Sequence, residues 1–336
     1  DWSSDVCSSD LTIIVTNNAT RTADSLQFMS TGGTPSTGRL DLAGGVFTVG
    51  SLNNNNGNDT SRVVVNFNGG LLRFTGNPSV AANAYATFNV WQGGARIDSG
   101  AGTPSIRQPL VGAAAGADGG LVKTGAGTLT LTTNNTYAGQ TAVRAGTLAS
   151  QAVTDAPFGF GPVSVEGGTL SFTPTGSGLT PDLTAAGGAA ENTVTYGNGP
   201  SCLRVVRGSH SALAVTLGNS GAAAGSVLSR AGNGVLAVWP GPGTATLGGS
   251  EQPRVNGGVA TVNGMVPAVI GVHNDDRRSC DFLTYDAADG FKVATYTAGL
   301  GGGAASLANV TANTATDSAQ VFALRVHDGK DRKSVV

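Results

Sequence analysis

The stretch GGLVKTGAGTLTLTTNNTYAGQTAVRAGTL, residues 119–148, decides the fold. In its TLTLT segment Leu129 and Leu131 alternate with Thr128, Thr130 and Thr132. Side chains alternate sides along a strand, so the leucines share an inner face and the threonines look out. Gly-Thr-Leu then returns: Gly127, Gly146 and Gly168 each open such a unit, at steps of 19 and 22 residues. Glycine tolerates the positive φ of a sharp corner, so each unit reads as a corner feeding a short strand.

Working outward, the same rhythm runs upstream. Gly-Gly pairs fall at 44–45, 69–70, 93–94 and 119–120, at steps of 25, 24 and 26 residues. Alternating apolar residues flank them, first Leu40, Leu42 and Val46, then Val63, Val65 and Phe67. Periods of 20 to 50 residues mark solenoids and arrays. A coil of this size cannot bury its apolar face alone, whereas stacked coils share a continuous core. The expectation is an all-β solenoid with coils of about 19–26 residues. A β-sandwich would place about seven strands in ~100 residues and stop. Propeller blades would repeat at ~40–45. Only 219–231 (NSGAAAGSVLSRA) has a passable helix composition, and its glycines weaken it.

Composition agrees. Charged residues make up 12% of the chain, against roughly 25% in an ordinary soluble domain. Glycine supplies 52 of 336 residues and hydrophobic residues 40%, enough apolar surface to exclude a disordered chain. The net charge of −2 and the lack of a basic run in the body exclude a nucleic-acid partner. No run of 18 apolar residues offers a spanning helix, and no signal peptide opens the sequence. Cys7, Cys202 and Cys280 are scattered and odd in number, which is no disulfide framework.

The two ends differ from the body. DWSSDVCSSDL (1–11) and DRKSVV (331–336) lack its glycine rhythm, and both resemble translated sequencing-adapter reads. They are set apart as foreign flanks, which leaves a body carrying equal numbers of acidic and basic residues.

Residues 119–148 resemble the autotransporter-associated β-strand repeat, also called the passenger-associated transport repeat. The likeness runs through Gly120, Lys123, Gly125, Gly127, Leu129, Leu131, Asn135, Tyr137, Gly139, Thr141, Val143, Gly146 and Leu148. GFGPVSVEGGTLSF (159–172) looks like the strand pair that follows such a repeat, and AGNGVLAV (231–238) like a worn copy. NGMVPAVIGVHNDDRRSCDFLTYDAADGFKVATYT (263–297) looks like a linker between modules of large proteins of this kind. TADSLQF (22–28) and TATDSAQVF (314–322) are related, so a second module is expected to begin near the C-terminus. The implied organisation is a passenger module at 12–262, an inter-module segment at 263–312 and the start of the next module at 313–330. The resemblance implies a right-handed parallel β-helix, secreted or displayed at the surface of a Gram-negative-type bacterium. It also implies an outer-membrane translocator domain as partner, outside this sequence.

Chemistry is sparse. The acids Asp41, Asp59, Asp98, Asp118, Asp155, Glu166, Asp182 and Glu191 are spread along the chain rather than paired for acid–base work. The one cluster is His273-Asn-Asp275-Asp276-Arg277-Arg278, followed by Asp281, Asp286 and Asp289. It reads as a solvated loop between modules, with a cation or sugar site as the alternative. Asp286-Ala-Ala-Asp289-Gly290 reads as an Asp-Gly turn between two strands, not a calcium loop. His210, His273 and His327 have no metal-type partners in sequence. Lys123 is expected on the outside as a solubilising charge, and Tyr137 is expected to pack over a coil. Trp91 and Trp239 define no aromatic platform. No catalytic, cofactor-binding or metal-ligating residue is therefore assigned, and no cofactor is expected. The expected function is a structural or adhesive passenger segment that engages a surface polysaccharide or a neighbouring cell surface. The alternative is a β-helix lyase or glycosidase acting on polysaccharide.

Overall fold

The computed structural model describes residues 10–28, 37–53, 62–113, 118–152, 156–175, 182–184, 193–218, 221–272, 280–298, 307–310 and 323–326. The end stretches 1–9 and 331–336, the charged run 273–279, His327, and the related segment at 314–322 lie outside these residues. So do Asp59, Asp155 and Glu191.

Every regular element among the described residues is a strand. The chain winds as a parallel β-solenoid, and most strands pair with a strand one coil earlier and one coil later. Two long strands, Asp10–Gln27 and Thr37–Asn53, run side by side at the start. Asp10 and Leu11 already pair with Thr37 and Gly38, so regular pairing begins inside the stretch set apart by composition. Thr37–Asn53 turns a corner at Gly44–Gly45, and its two halves carry separate stacks. The first half continues through Arg62–Phe67, Ala86–Val90 and Leu110–Gly112. The second continues through Leu71–Phe74, Ala95–Asp98, Leu121–Thr124, Thr141–Val143, Val163–Val165, Val194–Gly197 and Leu228–Ala231.

A 10-stranded sheet forms another wall, and the Gly-Thr-Leu units build its middle. Thr128, Thr147 and Thr169 stack in register, and so do Leu129, Leu148 and Leu170. The column extends through Leu203 to Val238, which brings the worn copy at 231–238 into the same wall. Leu129, Leu148 and Leu131 are buried, while Thr128 and Thr130 stay partly exposed, as the alternation requires. Leu40, Leu42, Val63, Val65 and Phe67 are likewise core. Val46 is not, because the inward positions after the glycine pair fall on Phe47 and Val49.

Glycine is obligatory where coils approach closely. Gly120 has φ +71°, and a Cβ there would strike the carbonyl of Gln140 in the next coil. At Gly168 a Cβ would lie 2.8 Å from the Gly146 carbonyl oxygen, closer than real side chains tolerate. The glycine pairs and the Gly-Thr-Leu units therefore form two corner columns.

Coil length changes along the chain. Thr128 to Thr147 spans 19 residues and Val46 to Leu71 spans 25, within the expected range. From Val163 onward the coils lengthen: Val163 pairs with Val194, Cys202 with Ala237, and Leu236 with Val269, at 31, 35 and 33 residues. The added length supplies a separate 3-stranded sheet of Asp182–Thr184, Leu213–Leu217 and Glu251–Val255. Within the described part of 219–231 the chain forms turns and the strand Leu228–Ala231.

Parallel winding stops at Val269–Val272. Cys280–Asp286 pairs with it antiparallel and turns back into Gly290–Val293. The turn is the one expected at Asp286–Gly290, with Asp286 Oδ1 accepting the Ala288 and Asp289 amides. Tyr285 Oη hydrogen-bonds both the amide and the carbonyl of Val255, at 2.8 and 2.9 Å, fastening this hairpin to the 3-stranded sheet. Farther along, Thr297–Ala298, Leu307–Val310 and Ala323–Val326 form a second 3-stranded parallel sheet.

Candidate functional site

The polar groups of the repeat bind coil to coil. Lys123 corrects the expectation of an exposed charge: its side chain is fully buried. It shares the inward parity of Leu121 on Leu121–Thr124, just before the chain bends at 125–127. The carbonyls of Thr124 and Gly125 at that bend face its ammonium, and the Thr124 carbonyl also accepts the Ser99 amide. Lys123 Nζ donates to the carbonyls of Thr124 (2.8 Å), Gly125 (2.8 Å) and, in the next coil, Ala145 (3.0 Å). Burial lowers its pKa to about 8, with nearby Asp98 acting in the other direction. An ammonium with three carbonyl acceptors is the kind of buried charge that can be tolerated.

Asn135 and Asp118 do comparable work. Asn135 is buried and accepts from the Leu110 amide (2.9 Å) while donating to the carbonyls of Thr133 (3.1 Å) and Pro157 (2.6 Å). Its one amide thus touches three levels of the stack. The Asp118 carboxylate accepts the amides of Gly120 (3.0 Å), Ala138 (2.7 Å) and Gly139 (2.6 Å). Tyr137 packs inside, as expected. Its hydroxyl lies 2.7 Å from Thr141 Oγ1, which donates to the Phe158 carbonyl at 2.8 Å. Burial raises its pKa well above the phenol's ordinary value, so it stays neutral.

The other sequence-marked residues are dispersed. Asp41 pairs with Arg39, Asp98 with Arg73, and Glu166 with Arg144, at 2.8, 2.8 and 3.2 Å. Asp286 and Asp289 both face Lys292, at 3.4 and 3.3 Å, and Tyr296 donates to Asp281. Hydrogen bonding to its own turn lowers the Asp286 pKa. His210 is buried, and among the described residues no three His, Cys, Asp or Glu side chains gather as a metal group. Cys202 is buried and Cys280 exposed, both unbridged. Trp91 donates to Asn66 on the outer face of one stack, while Trp239 lies under the Arg204 guanidinium, 4.1 Å from its ring centroid, on the 10-stranded sheet. The two rings form no common platform.

Two features lay beyond sequence reasoning. Glu251 is buried, with Arg207 Nε 3.2 Å from one oxygen and Ser250 Oγ and the Thr246 amide on the other. The second is a half-open groove of about 500 Å³ at one border of the 10-stranded sheet. Ser79, Ser105, Arg107, Thr132, Gln151 and Thr175 line it from successive coils, so it runs along the solenoid axis. Its components are spaced a coil apart in sequence, and only the register of the coils brings them together.

Comparison with curated proteins and with solved structures brings no match. Comparison with family models does. The segment that holds Lys123, Asn135, Tyr137 and the first two stacked Gly-Thr-Leu units, residues 121–149, matches the passenger-associated-transport-repeat model, and this part of the chain is a repeat of the autotransporter passenger type.

Proposed function

We propose that the chain is a structural and adhesive passenger segment of a larger surface-displayed protein of a Gram-negative-type bacterium, and that it is not an enzyme. The observation that carries this is the placement of the matched repeat: residues 121–149 supply coils in the middle of a parallel solenoid, in register with coils on both sides. A fold of this kind lengthens by about 4.8 Å per coil without redesign of its core. That suits a stalk or fibre whose work is reach and contact. Its partners are a translocator domain outside this sequence and, for adhesion, a surface polysaccharide or a neighbouring cell surface. The module spans 12–262, followed by an inter-module segment at 263–312 and the next module from 313.

Export is the test. The 336-residue chain is placed between a secretion signal and an outer-membrane β-barrel and expressed in a Gram-negative host. The chain should reach the surface, where external protease cleaves it in intact cells. Retention behind the outer membrane, under conditions where a known passenger is displayed, would overturn the reading. The enzyme alternative is tested by incubating the protein with pectate and alginate; no new reducing or unsaturated ends should form.

A further inference from the structure

The groove along the 10-stranded sheet points to a ligand: we infer that it seats an extended acidic polysaccharide, with Arg107 as the group that holds a sugar carboxylate. This deepens the adhesive reading, on which it rests for the source of the ligand.

The groove is built in steps. The Thr132 amide bonds the carbonyl of Ile106, the Gln151 amide that of Leu131, and the Thr175 amide that of Gln151. Arg107, Thr132, Gln151 and Thr175 therefore stand on successive coils, one strand spacing or about 4.8 Å apart. A pyranose unit in an extended chain is about as long as one such step, so a glycan laid along the axis meets a fresh hydroxyl or amide at each sugar. Thr133 also lines the groove. The Arg107 side chain is exposed, and its guanidinium has no carboxylate or carbonyl partner among the described residues. Among the described residues no acid lines the groove to repel or neutralise an anion. A planar guanidinium matches a carboxylate in two parallel hydrogen bonds.

A peptide fits less well. Extended peptides bind by adding to a free strand edge and by filling apolar pockets. The backbone beneath this groove is already paired coil to coil, and among the described residues its one apolar lining residue is Ala82.

The experiment is affinity electrophoresis of the 336-residue chain through gels containing polygalacturonate, dextran or poly-glutamate. Polygalacturonate should retard the protein and the other two should not. Arg107→Ala should weaken the retardation about tenfold, as expected for loss of one charge-assisted hydrogen-bonding group. Gln151→Ala should weaken it less, and Arg96→Ala, an exposed arginine away from the groove, should leave it unchanged. Unchanged circular dichroism shows that each variant is folded. Equal retardation by poly-glutamate, equal loss in Arg96→Ala, or no retardation by polygalacturonate would overturn the inference. None of these results bears on export, which the display assay reads separately.

Discussion

Gly159 packs against the ring of Tyr137: a Cβ on this residue would sit 2.5 Å from Cε2 of the ring, and its φ is +79°. The tyrosine of one coil thus fixes the residue type at the corner of the next. Gly159→Ala should destabilise the protein by about 1–3 kcal/mol, through overpacking and through a φ that suits glycine. Tyr137→Phe should cost about 1 kcal/mol, the worth of the hydrogen bond to Thr141. Urea midpoints compare the two variants. If Gly159→Ala were neutral, the ring would not occupy this corner.

Lys123→Met keeps the bulk of the side chain and removes the donors for three carbonyls. The Thr124 carbonyl keeps the Ser99 amide, while each of the two other buried acceptors, at Gly125 and Ala145, left without a partner costs about 1–3 kcal/mol. The variant should therefore lose several kcal/mol at neutral pH, whereas an exposed lysine would be replaced at almost no cost. The measurement is the same urea titration.

The lysine also has a pH signature. Its folded pKa of about 8 lies below the ordinary 10.5, so between these values the unfolded chain binds more protons than the folded one. Stability then rises with pH. The charge carries its full burial cost below pH 8, and the cost is gone above 10.5. Relative to Lys123→Met, the natural chain should gain up to about 3 kcal/mol across that window. A flat difference from pH 7 to 11 would contradict the buried placement.

The leucine column offers a sharper contrast. Leu131→Asp places an unpaired charge in the core and should abolish folding, while Thr130→Asp, one residue away and partly exposed, should be mild. Circular dichroism and protease resistance distinguish them. Comparable damage from Thr130→Asp would mean that the two faces of the strand are exchanged.

How much of this could be read from the sequence depends on whether the information was local. The alternation at Leu129 and Leu131 is local, and the stacking of the Gly-Thr-Leu units follows from their spacing, so both were legible. The position of Lys123 was not. Its parity with Leu121 pointed inward and its charge pointed outward, and charge alone decides wrongly. What settles the matter is the carbonyl of Ala145, 22 residues away, which faces the ammonium only after the coil closes. The longer coils after Val163 also escaped notice, because the glycine rhythm fades where the separate sheet is added. The groove was hidden for a similar reason: Arg107, Thr132 and Gln151 mean little until the register sets them side by side.

The antiparallel hairpin at Cys280–Val293 changes how the solenoid gives way under load. A stack of parallel coils can tear one coil at a time from an open end, since each is held only by its neighbours. At this end a pull must first strip the hairpin, which grips Val269–Val272 along its length and is pinned at Val255 by Tyr285. The load is therefore shared between two walls before any coil peels. Failure at this end should come as a single rupture rather than as gradual unravelling, and a pulling trace in which the hairpin yields together with the last coils would display it.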